Sequence, residues 1–155
     1  MNKNTSLPMA IANIQGGNNF PELTGQVKFY QKRNAVLVVA NIRGLPETLT
    51  SFFGFHIHEG NSCGGNIFSE TGSHYNPTDT PHPSHAGDLP PLMRCNSGAY
   101  LTVATDRFNV KDIIGRTVVI HSMPDDFTTQ PAGNAGMKIG CGIITHYTPK
   151  KNNHT

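Results

Sequence analysis

The chain has 155 residues, enough for one domain with a working core and too few for two. Only 14% of residues are charged and the formal net charge is +2, which excludes a disordered charged-tail protein and a dense basic face for nucleic acid. Eight histidines stand beside ten carboxylates, 16 Gly and 11 Pro, a composition that points to a metal site on a turn-rich all-β frame.

Residues 1–8 read as an N-terminal extension. The start of the chain has no apolar h-region and no small-residue cleavage site, so no secretory signal is expected. No apolar run is long enough to span a bilayer. The expected location is cytoplasmic, with the cell surface or export by a route without a signal as the alternative; neither membrane nor nucleic acid is an expected partner. Short β-branched stretches between Gly, Pro and Asn turns then predict eight strands, over Met9–Ile14, Gly25–Tyr30, Ala35–Ile42, Phe53–His58, Leu89–Met93, Gly98–Thr105, Thr117–His121 and Gly142–Tyr147. The strongest is AVLVVANI, in which Ala35, Leu37, Val39 and Asn41 face opposite to Val36, Val38, Ala40 and Ile42. No stretch carries a persuasive helical period. The expectation is an all-β antiparallel sandwich or flattened barrel over residues 9–147, with a solvated tail over 148–155.

Two segments break the strand pattern, Glu59–Asp88 and Ser122–Lys138. Structureless loops of such length need something other than a hydrogen-bonded ladder to order them, and they are where function concentrates. In GFHIHE, His56 and His58 are two apart on a strand and share a face. Alone, that pair reads more readily as two half-exposed polar residues. In HYNPTDTPHPSHAGDL, His74, His82, His85 and Asp88 make a three-imidazole, one-carboxylate set suited to tetrahedral zinc, with prolines and Gly87 supplying the bends; solvated loop histidines are the alternative. His121 ends the strand TVVIH. Three cysteines, Cys63, Cys95 and Cys141, allow at most one internal disulfide, and none lies in a C-x-x-C pair.

In this order, GFHIHE, SHYNP, HAGDL, GRTVVIH, NAG and GCGII resemble the copper,zinc superoxide dismutase family, and the likeness runs from about residue 9 to 147. The resemblance implies an eight-stranded antiparallel Greek-key β-barrel with two long functional loops, and Cu and Zn as cofactors. Carried over by motif, His56, His58, His74 and His121 are the expected copper ligands. His74, His82, His85 and Asp88 are the expected zinc ligands, so that His74 bridges the metals. Asp125 matches the carboxylate that links a copper-ligand histidine to a zinc-ligand one, expected here to be His56 and His82. Cys63 and Cys141 match the family disulfide, leaving Cys95 as a bland thiol. Arg116 is expected to bond loop carbonyls. The implied reaction is ping-pong dismutation of superoxide, with His74 and Lys138 as the catalytic side chains: His74 relays a proton and Lys138 attracts the anion.

Three departures bear on rate and metal affinity. Lys138 stands where the family typically has Arg beside the copper, trading a planar fork for a flexible point charge, so reduced activity is expected. The loop Asp125–Gly133 is short and has no Lys or Glu after Asp126, which leaves steering to Lys138 and to Arg94 or Arg107. Only two residues separate His82 from His85, a tighter zinc loop than in many relatives. The short His58-to-Cys63 gap and the GDLPPL run look bacterial. Alternatives are a non-enzymatic copper- or zinc-binding relative with a metal-handling or structural role, and an accessory domain of an assembly that consumes H2O2. Monomer and homodimer both stay open, as does a copper-delivery partner.

Overall fold

The computed structural model describes residues 7–149. Of the expected extension only Leu7 and Pro8, and of the expected tail only Thr148 and Pro149, fall within that span. Eight strands form one sheet: β1 (Ala10–Gly16), β2 (Thr24–Gln31), β3 (Val36–Arg43), β4 (Phe52–His58), β5 (Asp88–Met93), β6 (Gly98–Thr105), β7 (Thr117–His121) and β8 (Lys138–His146). Their order is β5-β4-β7-β8-β1-β2-β3-β6, and every described pairing is antiparallel. The end strands β5 and β6 approach each other, so the sheet curls into a nearly closed barrel. β3 leaves β2 to cross to β4 at the other side of the sheet, and β6 crosses likewise to β7; these are the Greek-key connections.

Alternation fixes which residues face inward. On β3, Val36, Val38, Ala40 and Ile42 are buried while Asn41 and Arg43 are exposed, as the two-residue period requires. Phe29, Phe53, Phe55, Ile57, Leu92 and Ile120 fill the interior with no exposed surface, each contributing about 1.5–3 kcal/mol of transfer free energy. β5 contains Pro90 and Pro91, which fall where the β4–β5 register shifts between Phe53 and Phe55; the missing amides there cost no ladder bond.

Three elements depart from the expectations, the first a short 3-10 helix over Asn66–Thr71 inside the long loop that reads as structureless. β8 begins at Lys138, not Gly142, because Lys138–Gly142 pair with β7 despite a glycine-rich sequence that reads as a loop. A four-residue helix, α1 (Val110–Ile113), buries Val110 and Ile113, and the Asn109 amide donates to Asp112 Oδ2 at 3.0 Å. One turn is too short to show a 3.6-residue period. Among the described residues no helix is long and apolar enough to cross a membrane.

Candidate metal centre

β4 carries His56 and His58 at its C-terminal end, and both are buried. His58 bridges to His74, which brings the first histidine of the long loop alongside β4. The His56–Val119 and His58–Thr117 pairings place His121, at the end of β7, beside them. Gly54 makes that approach possible: a Cβ there would lie 2.8 Å from the Ala135 Cβ and 3.1 Å from the His121 Cβ. Two groups of ligand atoms result, His56, His58, His74 and His121 in one and His74, His82, His85 and Asp88 in the other. Within each group the atoms lie within 4.8 Å of one another, and His74 belongs to both.

Neighbouring acceptors fix the ring tautomers. His56 Nε2 donates to Asp125 Oδ2 at 2.8 Å and His82 Nε2 to Asp125 Oδ1 at 2.9 Å, as expected for the linking carboxylate. His58 Nδ1 donates to the Gly72 carbonyl at 2.9 Å and His121 Nδ1 to that of Gly136 at 3.4 Å. With Nδ1 as the donor in both rings, His58 Nε2 and His121 Nε2 face each other as lone pairs 3.1 Å apart. Two lone pairs at that separation repel unless a cation lies between them. In the second group, Asp88 Oδ1 is 2.7 Å from His74 Nδ1, and Oδ2 is 3.0 Å from His82 Nδ1 and 3.3 Å from His85 Nδ1. Five buried side-chain polar atoms among the described residues lack a hydrogen-bond partner, and four are imidazole nitrogens: His56 Nδ1, His74 Nε2, His82 Nδ1 and His85 Nδ1. Orphaned ring nitrogens turned into two shared points fit bound metal ions and little else.

The electrostatics agree. Burial is the main cause that lowers His56, His58 and His85, and it lowers His121 to about 3; repulsion among the neighbouring imidazoles adds to the effect. The rings are therefore neutral, the form that ligates metal. Burial alone would raise the Asp88 and Asp125 carboxyls. The hydrogen bonds from His74 to Asp88, and from His56, the Phe127 amide and His82 to Asp125, outweigh it and hold both below the ordinary range. Gly133, at φ 67°, leaves room for this carboxylate, since a Cβ there would run into Asp125 and lie 2.7 Å from His82 Nε2.

The scaffold around the groups holds further residues. Cys63 and Cys141 form a disulfide that ties the loop after β4 to β8. Arg116 donates to the carbonyls of Asp112 and Glu59 and stacks 4.0 Å from the Tyr75 ring centroid, the loop-bracing role expected of it. Arg107 Nη1 lies within hydrogen-bonding distance of the Pro83, His85 and Asp88 carbonyls. It braces the zinc-type loop through these neutral carbonyls, which leave its positive charge in place. Arg94 donates to Leu45 O and pairs with Glu47 beyond the end of β5, away from both groups, which removes it as a steering residue. Cys95 is an exposed free thiol. Sequence reasoning missed Gln130 and Thr71. Gln130 Nε2 donates to His82 O at 2.7 Å and its Oε1 accepts the His82 amide at 3.0 Å. Thr71 accepts from Lys138 Nζ at 2.7 Å.

A family model described as copper/zinc superoxide dismutase matches residues 23–144. The chain belongs to the copper/zinc superoxide dismutase family. A Cu-Zn superoxide dismutase numbered 2 in Aquifex aeolicus is 33% identical over 138 residues, covering 79% of this chain and 80% of the relative. One numbered 3 in Arabidopsis thaliana is 35% identical over 153 residues, covering 87% and 88%. A Cu-Zn superoxide dismutase of Caulobacter vibrioides is 30% identical over 137 residues, covering 77% of each. Within this dismutase family, the two ligand groups that share His74 correspond to a copper and a zinc site.

Proposed function

We propose that the chain is a superoxide dismutase, with copper held by His56, His58, His74 and His121 and zinc by His74, His82, His85 and Asp88. The observation that carries the reading is the pair of convergent four-residue groups with His74 common to both, in a chain of this family. Two superoxide anions and two protons become O2 and H2O2. Copper held by the four imidazoles would supply the one-electron chemistry, and zinc would supply charge and geometry without redox change.

The chain's own residues do the rest. His74 has Nδ1 against Asp88 and Nε2 on the copper side, so Nε2 is the atom on which a proton destined for peroxide can be held. Asp125 orients His56 and His82 together and so keeps the two metal groups in register. The approach is a cavity of about 510 Å³ lined by His58, His121, Lys138 and also Glu59 and Asp79. The side chains that line this mouth set one ammonium against two carboxylates, to which bound metal ions would add positive charge. Monomer or homodimer, and loading by a copper-delivery partner, complete the reading; sedimentation and copper transfer between purified proteins address them.

The deciding experiment measures copper and zinc per chain on purified protein and assays superoxide dismutation with and without added copper. One copper and one zinc with activity supports the enzyme. Stoichiometric copper with no activity overturns it in favour of a metal-handling relative.

A further inference from the structure

Lys138 is not the flexible point charge that its chemistry leads one to expect. Nζ donates to Thr71 Oγ1 at 2.7 Å and to Gly72 O at 3.0 Å, and lies 3.5 Å from Phe68 O. An ammonium has three N–H groups, and these three oxygens engage all of them. Thr71 contributes the one side-chain oxygen of the three. Thr71 is fully buried, and its hydroxyl donates to Phe68 O at 2.9 Å, which turns its lone pairs toward the ammonium. Gly72 O accepts from both Lys138 Nζ and His58 Nδ1, so the lysine and a copper-group histidine meet at one carbonyl. Lys138 also pairs across the ladder with His121.

We infer that Thr71 is a positioning residue for the dismutation: its hydroxyl holds the Lys138 ammonium at the edge of the copper-side cavity, where the lysine acts on the incoming anion as a fixed charge. A guanidinium carries five donors in a planar fork and can be held by several partners while one arm still meets an anion. A lysine at this place needs a partner at each of its N–H groups to stay still, and Thr71 supplies the third. Rotamer freedom of a lysine chain works against any placed charge, and anchoring removes it before the anion arrives.

The inference rests on the dismutase reading, and its test is a binding measurement that can fail separately. Azide is titrated into the copper- and zinc-loaded protein and followed by the visible absorption of Cu(II). Thr71→Val, which keeps the volume and removes the hydroxyl, is expected to weaken azide by about three- to ten-fold, while Thr71→Ser stays within about two-fold of wild type. Copper content is expected to match wild type in both. In a Lys138→Met background, Thr71→Val is expected to change nothing further, and Lys138→Arg is expected to rescue Thr71→Val. Azide bound equally tightly by Thr71→Val and wild type overturns the inference, as does an equal loss in the Lys138→Met background. Should Thr71→Val fold poorly, the Lys138→Arg/Thr71→Val protein decides: azide affinity still reduced there, with copper loaded, argues against positioning of the charge. A wild-type protein that binds copper and azide but lacks dismutation overturns the functional reading instead.

Discussion

Asp125 is the residue through which the two metal groups feel each other. One oxygen accepts from His56, the other from His82, and the Phe127 amide adds a third bond. Asp125→Asn preserves shape but turns an NH2 toward one of two ring N–H groups, setting donor against donor. Zinc affinity is expected to fall by about 10- to 100-fold, read by competition with a chromogenic chelator, and an unchanged affinity would refute the linking role. The ligands themselves were legible in the sequence because they are few residue types at short spacings, and the family motifs give each one its place. Thr71 and Gln130 were not, since a threonine or glutamine in a loop has no pattern of its own. Their partners lie 67 and 48 residues away, and only the folded chain brings them together.

At the scale of the element, the segment between β7 and β8 works as a clasp on the zinc-type loop. Gln130 imitates a backbone peptide, giving and accepting one bond at His82, and so does the work of a β-bridge where no strand exists. Gln130→Ala removes both bonds at about 1 kcal/mol each, so zinc release is expected to quicken by about 10- to 30-fold in stopped-flow chelation. An unaltered release rate would show that the clasp carries no load.

The same segment has its own acid limit. The exposed Asp126 carboxylate accepts from Thr129 Oγ1 and from the Thr129 and Thr128 amides, and its pKa falls from 3.8 to about 2. A group with a depressed folded-state value stabilises the turn above its ordinary pKa and stops doing so as pH falls through the folded one. Protection of the Thr128 and Thr129 amides, taken relative to the intrinsic exchange rate at each pH, is therefore expected to fall between pH 4 and 2 in wild type, with no such transition in Asp126→Asn. Strand positions were mostly legible from alternation. The start of β8 was not, because its pairing is set by β7 and β1, not by its own glycine-rich residues.

On the whole molecule, the barrel and its long loop are joined by a single covalent bond spanning 78 residues. In the chain-entropy model a closed loop of that size contributes about 4.5 kcal/mol, acting on the unfolded ensemble. Cys63→Ser is thus expected to lower the midpoint of denaturant unfolding and to raise the m-value, since the freed unfolded chain exposes more surface. A lower midpoint with an unchanged m-value would place the effect in the native state. The overall architecture was legible because eight alternating stretches leave few ways to bury their apolar faces, and the family motifs pick the Greek-key order among them.

The prolines of β5 carry a consequence for life in a crowded solution. β5 and β6 are the margins of the sheet, and any opening of the barrel exposes them first. Pro90 and Pro91 have no amide to donate and lie side by side on this margin, so a strand from another chain meets a gap in the template there. The seam along which the barrel closes is thereby guarded against self-association at the moment when neighbouring copies could otherwise zip onto it.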